Sequence, residues 1–501
     1  MKIAGLDIGT TGCKCMVFDD EDGKYLGMAY RDYPVRRKVT GHEIDVSTVM
    51  DGVVGVLREM AGRYPDIGGI GITSFGETFV MTDAAGNPLH NAMLYTDHRG
   101  GEEARALSGA LGERSIAMIT GLRPHEMYSL PKLMWLKAHR PEVYAAAKHV
   151  FLMQDYVVFH LTGTAQIDYS LATRTMALDI RTLKWSRELF DAAGIDVSLM
   201  SRPVPTGTPA GTLTPAAAHA VGLPESVTVV SISHDQVAAA VGAGAFDGSV
   251  AVDGAGTTQC LTPIFDAMPD IDEMARGFYS VVPYVIPGKY VAYAFTYTGG
   301  ALIDWCVRNL AKDEAARAKA QGVSVYDYLE AAYRAEHGDA PSGLLVLPHF
   351  AGAATPYMDI GSRGAILGLT TDTGVAELYR GCMEGVVYEM VLNTRAMKDS
   401  GIHFTRLHAT GGGARSAVWT QMKADMLNLP MTALKTADAG TVGSAMLTGI
   451  AIGLFRDLQD AADHMVEEIR TYYPRPEMHE KYNRIFSRYE QVYQAVRPLV
   501  G

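Results

Sequence analysis

A short turn of glycine and threonine joins two apolar strands near the start of this chain, and a similar turn recurs in its second half. The first turn separates predicted strands at 2–8 and 14–18, and the second separates predicted strands at 249–253 and 259–261. In P-loop and Rossmann units the glycine loop opens a helix, whereas both turns here open another strand. The sequence therefore predicts two similar halves, each beginning with a strand–turn–strand unit.

The apolar pattern that follows the first turn predicts a small α/β unit. A third strand is expected at 24–30. The apolar residues between 49 and 60 share one helical face, with Ser47 available as the N-cap. A further strand is expected at 67–73, which gives the order β-β-β-α-β.

The second half follows a related plan. Strands are predicted at 278–283 and 289–295, before a helix that begins near Gly300. The segment 242–248 is rich in Gly and Ala, so it is the expected boundary between the halves and a candidate hinge. Near the C-terminus, residues 477–496 predict a charged amphipathic helix packed on the surface.

Composition narrows the class of protein. A chain of 501 residues with 48% hydrophobic residues can bury a large core in two or three domains. The net charge of -12 and the lack of a basic stripe argue against nucleic acid as a partner. The five Cys form no C-x-x-C pair, which favours a reducing compartment. With neither an apolar membrane span nor a signal peptide apparent, we expect a cytoplasmic protein without a membrane partner.

The two glycine–threonine turns have the composition of phosphate-binding loops. A glycine turn lets backbone N–H groups approach phosphate oxygens, and threonine hydroxyls add donors. In the first motif, Asp7 ends a strand, where a carboxylate can hold Mg²⁺ through water. Either motif alone is also compatible with an ordinary hairpin. Two such motifs, at 7–14 and 253–258, predict a pair of clamps that face each other across a cleft.

A third motif places a single acid between a strand and a helix. Asp235 follows the apolar strand 227–232 and precedes the small-residue run 237–245. Near the positive end of a helix a carboxylate stays ionised and can accept a hydroxyl proton. The competing interpretation is that Asp235 caps the helix, because N-caps are far commoner than catalytic bases.

A fourth motif is a run of three glycines, 411–413, between a predicted strand at 406–409 and a helix that starts near Trp419. Glycines remove side chains, so a flat ring or a ribose can lie against the backbone. The segment 297–301 has the same form and could face the same ligand. The alternative for both segments is a flexible turn.

Taken in order, these motifs resemble those of the FGGY carbohydrate kinases, which phosphorylate glycerol, xylulose, ribulose, fuculose and related sugars. The resemblance spans nearly the whole chain. Besides the first phosphate motif, it includes two signature segments, the adenosine motif and the glycine helix that follows it. These segments are similar to the stretches 128–136, 347–369, 411–425 and 438–445.

The resemblance implies an α/β fold of two ribonuclease H-like domains, of the actin and hexokinase type. Mixed β-sheets would flank a deep interdomain cleft. Residues 1–246 would form the N-terminal domain, with the sugar site and the catalytic base, and 247–501 the C-terminal nucleotide-binding domain. The cofactors implied are ATP and Mg²⁺. Since dimers are common in the family, a homodimer is also expected.

The resemblance assigns roles to the residues of these motifs. Asp235 matches the general base and Asp7 the Mg²⁺-associated acid. The motifs and the resemblance together indicate nucleotide contacts from Asp7, Gly9, Thr10, Thr11, Lys14, Gly256, Thr257, Thr258, Gly299, Gly300, Gly411, Gly412, Gly413 and Ser416.

The sugar side gives conflicting indications. At the sugar-recognition turn, glycerol kinases carry Arg-Glu and xylulokinases carry Met-His-Gly; this chain has Gly76-Glu77-Thr78. Two features are similar to the corresponding positions of L-fuculokinases: the segment Ser74-Phe75-Gly76 and His234. A third, the segment Tyr95 to Arg99, is similar to a turn of xylulokinases whose Asp binds sugar hydroxyls. The expected substrate-binding residues are Phe75, Gly76, Glu77, Asp97 and Asp235. Either Glu77 or Asp97 could instead be a solvated turn residue, and Asp97 could form a surface ion pair with Arg99.

The expected activity is phosphorylation of a small carbohydrate at a primary hydroxyl by ATP. A ketopentose such as xylulose is favoured, and a 6-deoxyketohexose of the fuculose type or a polyol is the alternative. A different class of function is an actin-like ATPase or chaperone, or a sugar-sensing pseudokinase. Release of ADP that depends on one sugar distinguishes a kinase from these.

Overall fold

The fold is described from a computed structural model, which covers residues 1–38, 41–436 and 438–500. The strands of the first half are β1 (Lys2–Ile8), β2 (Gly12–Asp19), β3 (Tyr25–Asp32), β4 (Val35–Lys38), β5 (Gly41–Ile44), β6 (Ile67–Ser74), β7 (Phe79–Thr82), β8 (Ala92–Met93), β9 (His149–Leu152), β10 (Gln166–Asp168), β11 (Leu178–Asp179), β12 (Lys184–Trp185), β13 (Arg202–Val204), β14 (Thr208–Thr212) and β15 (Thr228–His234). Its helices are α1 (Val46–Arg63), α2 (Gly101–Leu111), α3 (Glu113–Thr120), α4 (Ser129–His139), α5 (Pro141–Ala146), α6 (Met153–Thr162), α7 (Tyr169–Thr173), α8 (Arg187–Ala193), α9 (Pro215–Val221) and α10 (Asp235–Gly242).

Within the described residues, the second half contains fewer strands than the first, and its helices are longer on average. Its strands are β16 (Val250–Ala255), β17 (Gln259–Phe265), β18 (Ser280–Pro283), β19 (Tyr290–Thr296), β20 (Leu345–Leu347), β21 (Ala365–Leu367), β22 (Arg406–Thr410), β23 (Met431–Leu434) and β24 (Glu468–Tyr472). Its helices are α11 (Ile271–Arg276), α12 (Gly300–Leu310), α13 (Lys312–Gln321), α14 (Val325–His337), α15 (Val375–Asp399), α16 (Ala417–Leu427), α17 (Ala439–Ala451), α18 (Leu458–Met465), α19 (Pro476–Tyr489) and α20 (Val492–Val500).

Two large mixed sheets form the framework, and both have the same internal order. The first runs β14-β15-β6-β1-β2-β3 and the second β18-β19-β17-β16-β22-β23-β24. In the first, β1 pairs antiparallel with β2 and parallel with β6. In the second, β16 pairs antiparallel with β17 and parallel with β22. The duplication inferred from the two turns is therefore confirmed, and each half has the ribonuclease H-like arrangement of a central strand, a hairpin and parallel neighbours.

Two helices, α10 and α17, form a layer between the sheets. Their apolar faces belong to one buried cluster, which also includes residues from the first sheet, such as Ile3 and Ile232, and from the second, such as Val252 and Val291. The helices approach very closely, because a Cβ on Gly443 would overlap the carbonyl oxygen of Ala238. This layer packs where the ends of β15 and β1 lie level with each other, and the candidate site is at these strand ends.

Several expectations about elements need correction. The helix over 49–60 is confirmed as α1, but its N-cap is Asp45, whose carboxylate accepts from the Ser47 backbone N–H at 3.0 Å. The hairpin of β4 and β5 precedes α1 and was not predicted. The segment 477–496 forms parts of two helices, α19 and α20, rather than one. Their inner faces lie in the core and not simply on the surface, since they bury Met478, Tyr482, Phe486, Tyr489, Val492 and Val496.

The predicted boundary between residues 246 and 247 lies in the connection between α10 and β16, and it stays a prediction. Among the helices of the described residues, none combines the length and the apolar character that crossing a membrane requires.

Candidate active site

The acid proposed as a base sits at the junction of a strand and a helix. β15 ends at His234 and α10 begins at Asp235. The N-cap position is occupied by His234, so the competing interpretation of Asp235 as a helix cap is not supported. The Asp235 side chain keeps 31% of its surface exposed. Among the described residues, its buried Oδ1 has no hydrogen-bond partner.

The surroundings of Asp235 favour its protonated form. Burial raises the pKa of Asp235 to about 7, and the negative charges of Asp7 and Glu77 contribute to the rise. Hydrogen bonds from Gln236 act in the opposite direction. A carboxylate with a pKa near neutrality can both accept and release a proton at physiological pH. The position and the charge of this acid thus suit a general base.

The candidate sugar turn follows β6 directly and has an unusual backbone. Glu77 is buried, and its φ is 61°, in the left-handed region that non-glycine residues rarely adopt. Such strain costs about 1–3 kcal/mol and tends to persist at functional sites. At Gly76, a Cβ would lie 2.9 Å from Cγ of Arg174 and 3.1 Å from Cδ2 of His234. Phe75 is buried beside them, and only glycine fits at position 76 without movement of its neighbours.

Arg174 is the main residue of this region that sequence reasoning missed. Its Nε donates to Oε1 of Glu77 at 2.5 Å, and its Nη1 donates to Oγ of Ser280 at 2.7 Å. The guanidinium also lies 5.2 Å from the ring of Tyr128 and 5.7 Å from that of Tyr293. Arg174 therefore holds Glu77 in place and links the turn after β6 to the second sheet.

Asp97 lies in a separate cluster. Its carboxylate accepts from Nε of Arg99 at 2.8 Å, from Nη2 of Arg99 at 2.7 Å and from the His42 backbone N–H at 2.6 Å. The side chain is buried, so the ion pair with Arg99 is not a surface pair. No hydrogen bond or ion pair among the described residues joins Asp97 to Glu77 or Asp235. The sugar-binding role of Asp97 stays a prediction.

The first phosphate motif lies at the ends of β1 and β2. Asp7 faces Lys14 across this pair of strands, and Lys14 forms an ion pair with Asp438 at the start of α17. Burial and the charge of Asp438 raise the pKa of Asp7, while Lys14 opposes the rise. A Cβ on Gly440 would lie 3.9 Å from Oδ2 of Asp7 and 3.8 Å from the carbonyl oxygen of Asp235. Asp7 and the candidate base thus meet at the same end of α17.

The turn between β1 and β2 is closed by a hydrogen bond from the Gly9 N–H to the Gly12 carbonyl at 2.9 Å. Thr10 is partly exposed and Thr11 is exposed, so both hydroxyls are accessible at the turn. Their contact with phosphate stays a prediction.

A cavity of about 750 Å³ lies in the second half. It contains six of the residues expected to contact the nucleotide: Gly256, Thr257, Gly300, Gly412, Gly413 and Ser416. The loops that form it are joined directly, because the N–H of Gly299 donates to the Thr257 carbonyl at 2.9 Å. Thr258 and Gly411 flank the same loops, and Gly411 has a φ of 82°, which favours glycine. The cavity has room for a nucleoside and a deep glycine-lined floor.

The cavity wall also contains acids that the motifs did not indicate. Asp304, Asp327 and Glu330 line it, and Ser416 donates from Oγ to Oε1 of Glu330 at 3.1 Å. These residues lie on helices α12 and α14, whose sequences read as ordinary amphipathic helices. A polar residue on such a helix gives no local signal that it faces a cavity, so sequence reasoning had no basis for selecting them.

Asp253 begins the second glycine–threonine motif, as Asp7 begins the first, but its surroundings differ. Lys423 donates from Nζ to Oδ2 of Asp253 at 2.7 Å, and the Gln259 side chain contacts Oδ1. Both groups are buried, so the Asp253 carboxylate is fully engaged within the protein. Of the two duplicated acids, Asp7 is the one at the cleft beside the candidate base.

Comparisons with known proteins agree with this architecture. Models of the FGGY family of carbohydrate kinases match residues 2–242 for the N-terminal domain and residues 255–452 for the C-terminal domain. Xylulose kinase of Bacillus subtilis (strain 168) is 26% identical, over 99% of this chain and 97% of the relative. Glycerol kinase of Halorhodospira halophila is 29% identical, over 96% and 93% respectively. The crystal structure of xylulose kinase from Rhodospirillum rubrum superposes with a TM-score of 0.88 at 25% identity and covers 100% of both chains. This chain belongs to the FGGY family of carbohydrate kinases.

Proposed function

We propose that Asp235 is the general base by which this kinase phosphorylates a primary hydroxyl of a small sugar. The observation that carries the proposal is the unpartnered Oδ1 of Asp235, on a carboxyl whose pKa is raised to about 7. The charges of Glu77 and Asp7 both contribute to the raised pKa, so both acids are near Asp235. The proposed base is therefore close to the candidate sugar turn and to the candidate phosphate turn.

In the proposed reaction, the sugar hydroxyl oxygen bonds to the γ-phosphorus of ATP while the bond from that phosphorus to the ADP oxygen breaks. The hydroxyl proton passes to Asp235. Phosphoryl transfer of this kind depends mostly on positioning and on neutralising charge. The glycine-lined cavity in the second half would hold the adenosine, and the turns at 9–12 and 256–258 would hold the phosphates.

Asp7 is the proposed residue for Mg²⁺. The described residues contain no cluster of three or more His, Cys, Asp or Glu that could hold a metal by itself. That arrangement fits Mg²⁺, which is commonly held by one or two carboxylates together with substrate phosphates and water. The raised pKa of Asp7 shows that its ionised form lacks full compensation, so a cation beside it is favourable. Bound there, Mg²⁺ would neutralise phosphate charge.

A ketopentose such as xylulose is the favoured substrate, because xylulose kinases are among the relatives that match the whole chain. A fuculose-like 6-deoxyketohexose or a polyol is the alternative. The polyol is supported by the glycerol kinase relatives and by Glu77, which matches the Glu of the glycerol kinase turn. Carboxylates such as Glu77 discriminate well between hydroxylated and deoxygenated sugars, since an unpaired buried acid is costly.

The test is an ADP-release assay with xylulose, ribulose, fuculose and glycerol. Asp235→Asn should lower turnover by roughly 10²–10⁴-fold and leave ATP binding nearly unchanged. Asp155→Asn is the matched control. Burial raises the pKa of Asp155 to about 8, so Asn resembles its protonated form at neutral pH. Full turnover in Asp235→Asn would rule out the assignment, and ADP release independent of any sugar would favour an ATPase.

A further inference from the structure

Three neighbouring side chains at the candidate site each have a buried polar atom without a partner. The atoms are Nδ1 of His234, Oδ1 of Asp235 and Oη of Tyr293. The His234 ring lies 5.3 Å from the Tyr293 ring, measured between centroids, and its Nε2 lies 3.3 Å from Oδ1 of Asp235. The Tyr293 side chain comes from β19, so the second sheet contributes to the cluster.

Unpartnered buried polar atoms are uncommon in native proteins, because each costs about 1–3 kcal/mol. The other side chains in this condition among the described residues are Asp155, Tyr388, Thr394 and Ser444. At the candidate site, His234 is next to both other members of the set, Asp235 through its Nε2 and Tyr293 through its ring. A ligand that brings its own hydroxyls would satisfy all three atoms together.

The hydrogen-bonding character of the cluster fits a sugar. Burial and the nearby Arg174 keep the pKa of His234 well below its ordinary value, so the imidazole is neutral. When the single proton of the neutral ring is on Nε2, the ring presents Nδ1 as an acceptor. Burial keeps the pKa of Tyr293 well above its ordinary value, so its hydroxyl stays protonated and available as a donor. A sugar hydroxyl can donate to one of these groups and accept from the other.

We propose that Tyr293 and His234 bind a secondary hydroxyl of the sugar whose primary hydroxyl faces Asp235. The inference rests on the proposed role of Asp235 and extends it, because residues from both sheets would then form the sugar site. Tyr293 is then a specificity-determining residue contributed by the nucleotide-binding half. The substrate class is a sugar or polyol with a hydroxyl near the one that is phosphorylated.

A resident water is the competing explanation, since buried waters commonly bridge such groups. The two explanations differ in what the Tyr293 hydroxyl stabilises. If it holds a water, its loss affects the protein without sugar. If it binds the sugar, its loss affects only the complex, and removal of an unpaired hydroxyl leaves the free protein equally stable or more stable.

Tyr293→Phe separates them, because it removes the hydroxyl alone. With the best substrate among xylulose, ribulose, fuculose and glycerol, KM for the sugar should rise roughly 3–10-fold, as expected for one hydrogen bond. KM for ATP should not change. The rise in Tm caused by the sugar should shrink, while Tm without sugar stays equal or increases. Tyr388→Phe is the matched control, as this buried, unpartnered tyrosine lies in the core of the second half.

A second pair of variants tests the acceptor. His234→Asn keeps a polar atom near the Nδ1 position and should retain more sugar affinity than His234→Gln, which keeps one near Nε2. Unchanged sugar KM in Tyr293→Phe, with a lower Tm in the absence of sugar, overturns the inference in favour of a resident water. If Asp235→Asn is inactive in that case, the role of Asp235 as the base is still supported and only the role of Tyr293 is rejected. If Asp235→Asn is active, the proposed function is rejected as well.

Discussion

At the scale of single residues, the decisive question is how a carboxylate keeps a pKa near neutrality inside a kinase. Among the described residues no Lys or Arg forms an ion pair with Asp235, whereas Glu77 pairs with Arg174 and Asp7 faces Lys14. Burial and two neighbouring negative charges therefore act on Asp235 with little compensation. The same arrangement that leaves Oδ1 without a partner also makes it basic enough to take a proton.

This environment predicts a pH dependence of activity. Since the pKa of Asp235 is about 7 and the base must be ionised, kcat/KM for the sugar should rise about tenfold per pH unit below 7 and level off above it. The profile should be measured with both substrates below saturation, so that it reports the free enzyme. A flat profile over about two to three pH units around neutrality would contradict the assignment.

The raised pKa of Asp235 also makes the stability of the protein depend on pH. The folded protein holds a proton on Asp235 up to a pH of about 7, whereas the unfolded chain releases it near 3.8. Folding is therefore favoured by this group at low pH, and the contribution is lost as the pH rises through that window. Asp235→Asn should remove this dependence, so the difference in Tm between variant and wild type should grow in favour of the variant from acid to neutral pH.

Sequence patterns selected the acids of the candidate site but not their partners. Asp235 and Glu77 follow strand ends, and a local pattern can reveal that position. Arg174 contacts Glu77 across 97 residues and Ser280 across 106 residues. No periodicity or spacing encodes contacts of such separation, so Arg174, Ser280 and Tyr293 became visible only when both sheets were in place.

At the scale of elements, the crossing of α10 and α17 determines where the proposed base, Asp235, lies. A Cβ on Gly242 would lie 2.6 Å from the Gly443 nitrogen and would overlap the Ala439 carbonyl oxygen. The two helices thus contact through backbone at this crossing. Because α10 begins at Asp235 and α17 begins beside Asp438, the crossing fixes the base relative to the Lys14–Asp438 ion pair.

Gly443→Ala tests this crossing. The added methyl would force the helices apart, and overpacking of this kind costs about 1–3 kcal/mol in the free energy of unfolding. A displaced α10 should also lower kcat. Gly62→Ala is the matched control, because Gly62 is exposed on α1 with no atom within 4 Å of the added Cβ. That control should gain about 0.5–1 kcal/mol. Urea unfolding gives both values, and equal stability of Gly443→Ala and wild type would argue against a tight crossing.

The regular elements were largely predictable, since β1, β2, β3, α1 and β6 follow clear periods of apolar residues. The hairpin of β4 and β5 was missed because its first strand is Val-Arg-Arg-Lys, with three charged, exposed residues. The hairpin is held in a sheet because β5 pairs with β8, and its own sequence does not indicate this pairing. The crossing glycines were visible as a run of small residues, but their use as a contact between helices depends on a partner about 200 residues away.

At the scale of the whole molecule, a few polar contacts join the two halves besides the helix layer. Arg174 donates to Ser280 at 2.7 Å in a buried setting. Arg114 donates to Asp272 at 2.9 Å, but these side chains are 73% and 43% exposed. Exposed ion pairs contribute about 0–1 kcal/mol, whereas a hydrogen bond to a charged group in a buried setting contributes about 1.5–3 kcal/mol. Of these two contacts, the buried one should therefore contribute more to the coupling between the halves.

Ser280→Ala should destabilise the joined state, in which the two halves are in contact through Arg174 and Ser280, by about 1.5 kcal/mol. When only the joined state binds sugar well, apparent affinity falls with its population, so KM for the sugar should rise, by at most roughly tenfold. Saturating sugar draws the halves together again, and kcat should then stay close to that of the wild type. Arg114→Ala breaks the exposed contact between the same halves and should change KM by less than about twofold. Steady-state kinetics compare the two, and small-angle scattering should show an expanded Ser280→Ala protein that contracts when sugar is added. Equal changes of KM in both variants would mean that the Arg174 link does not couple sugar binding to the approach of the two sheets.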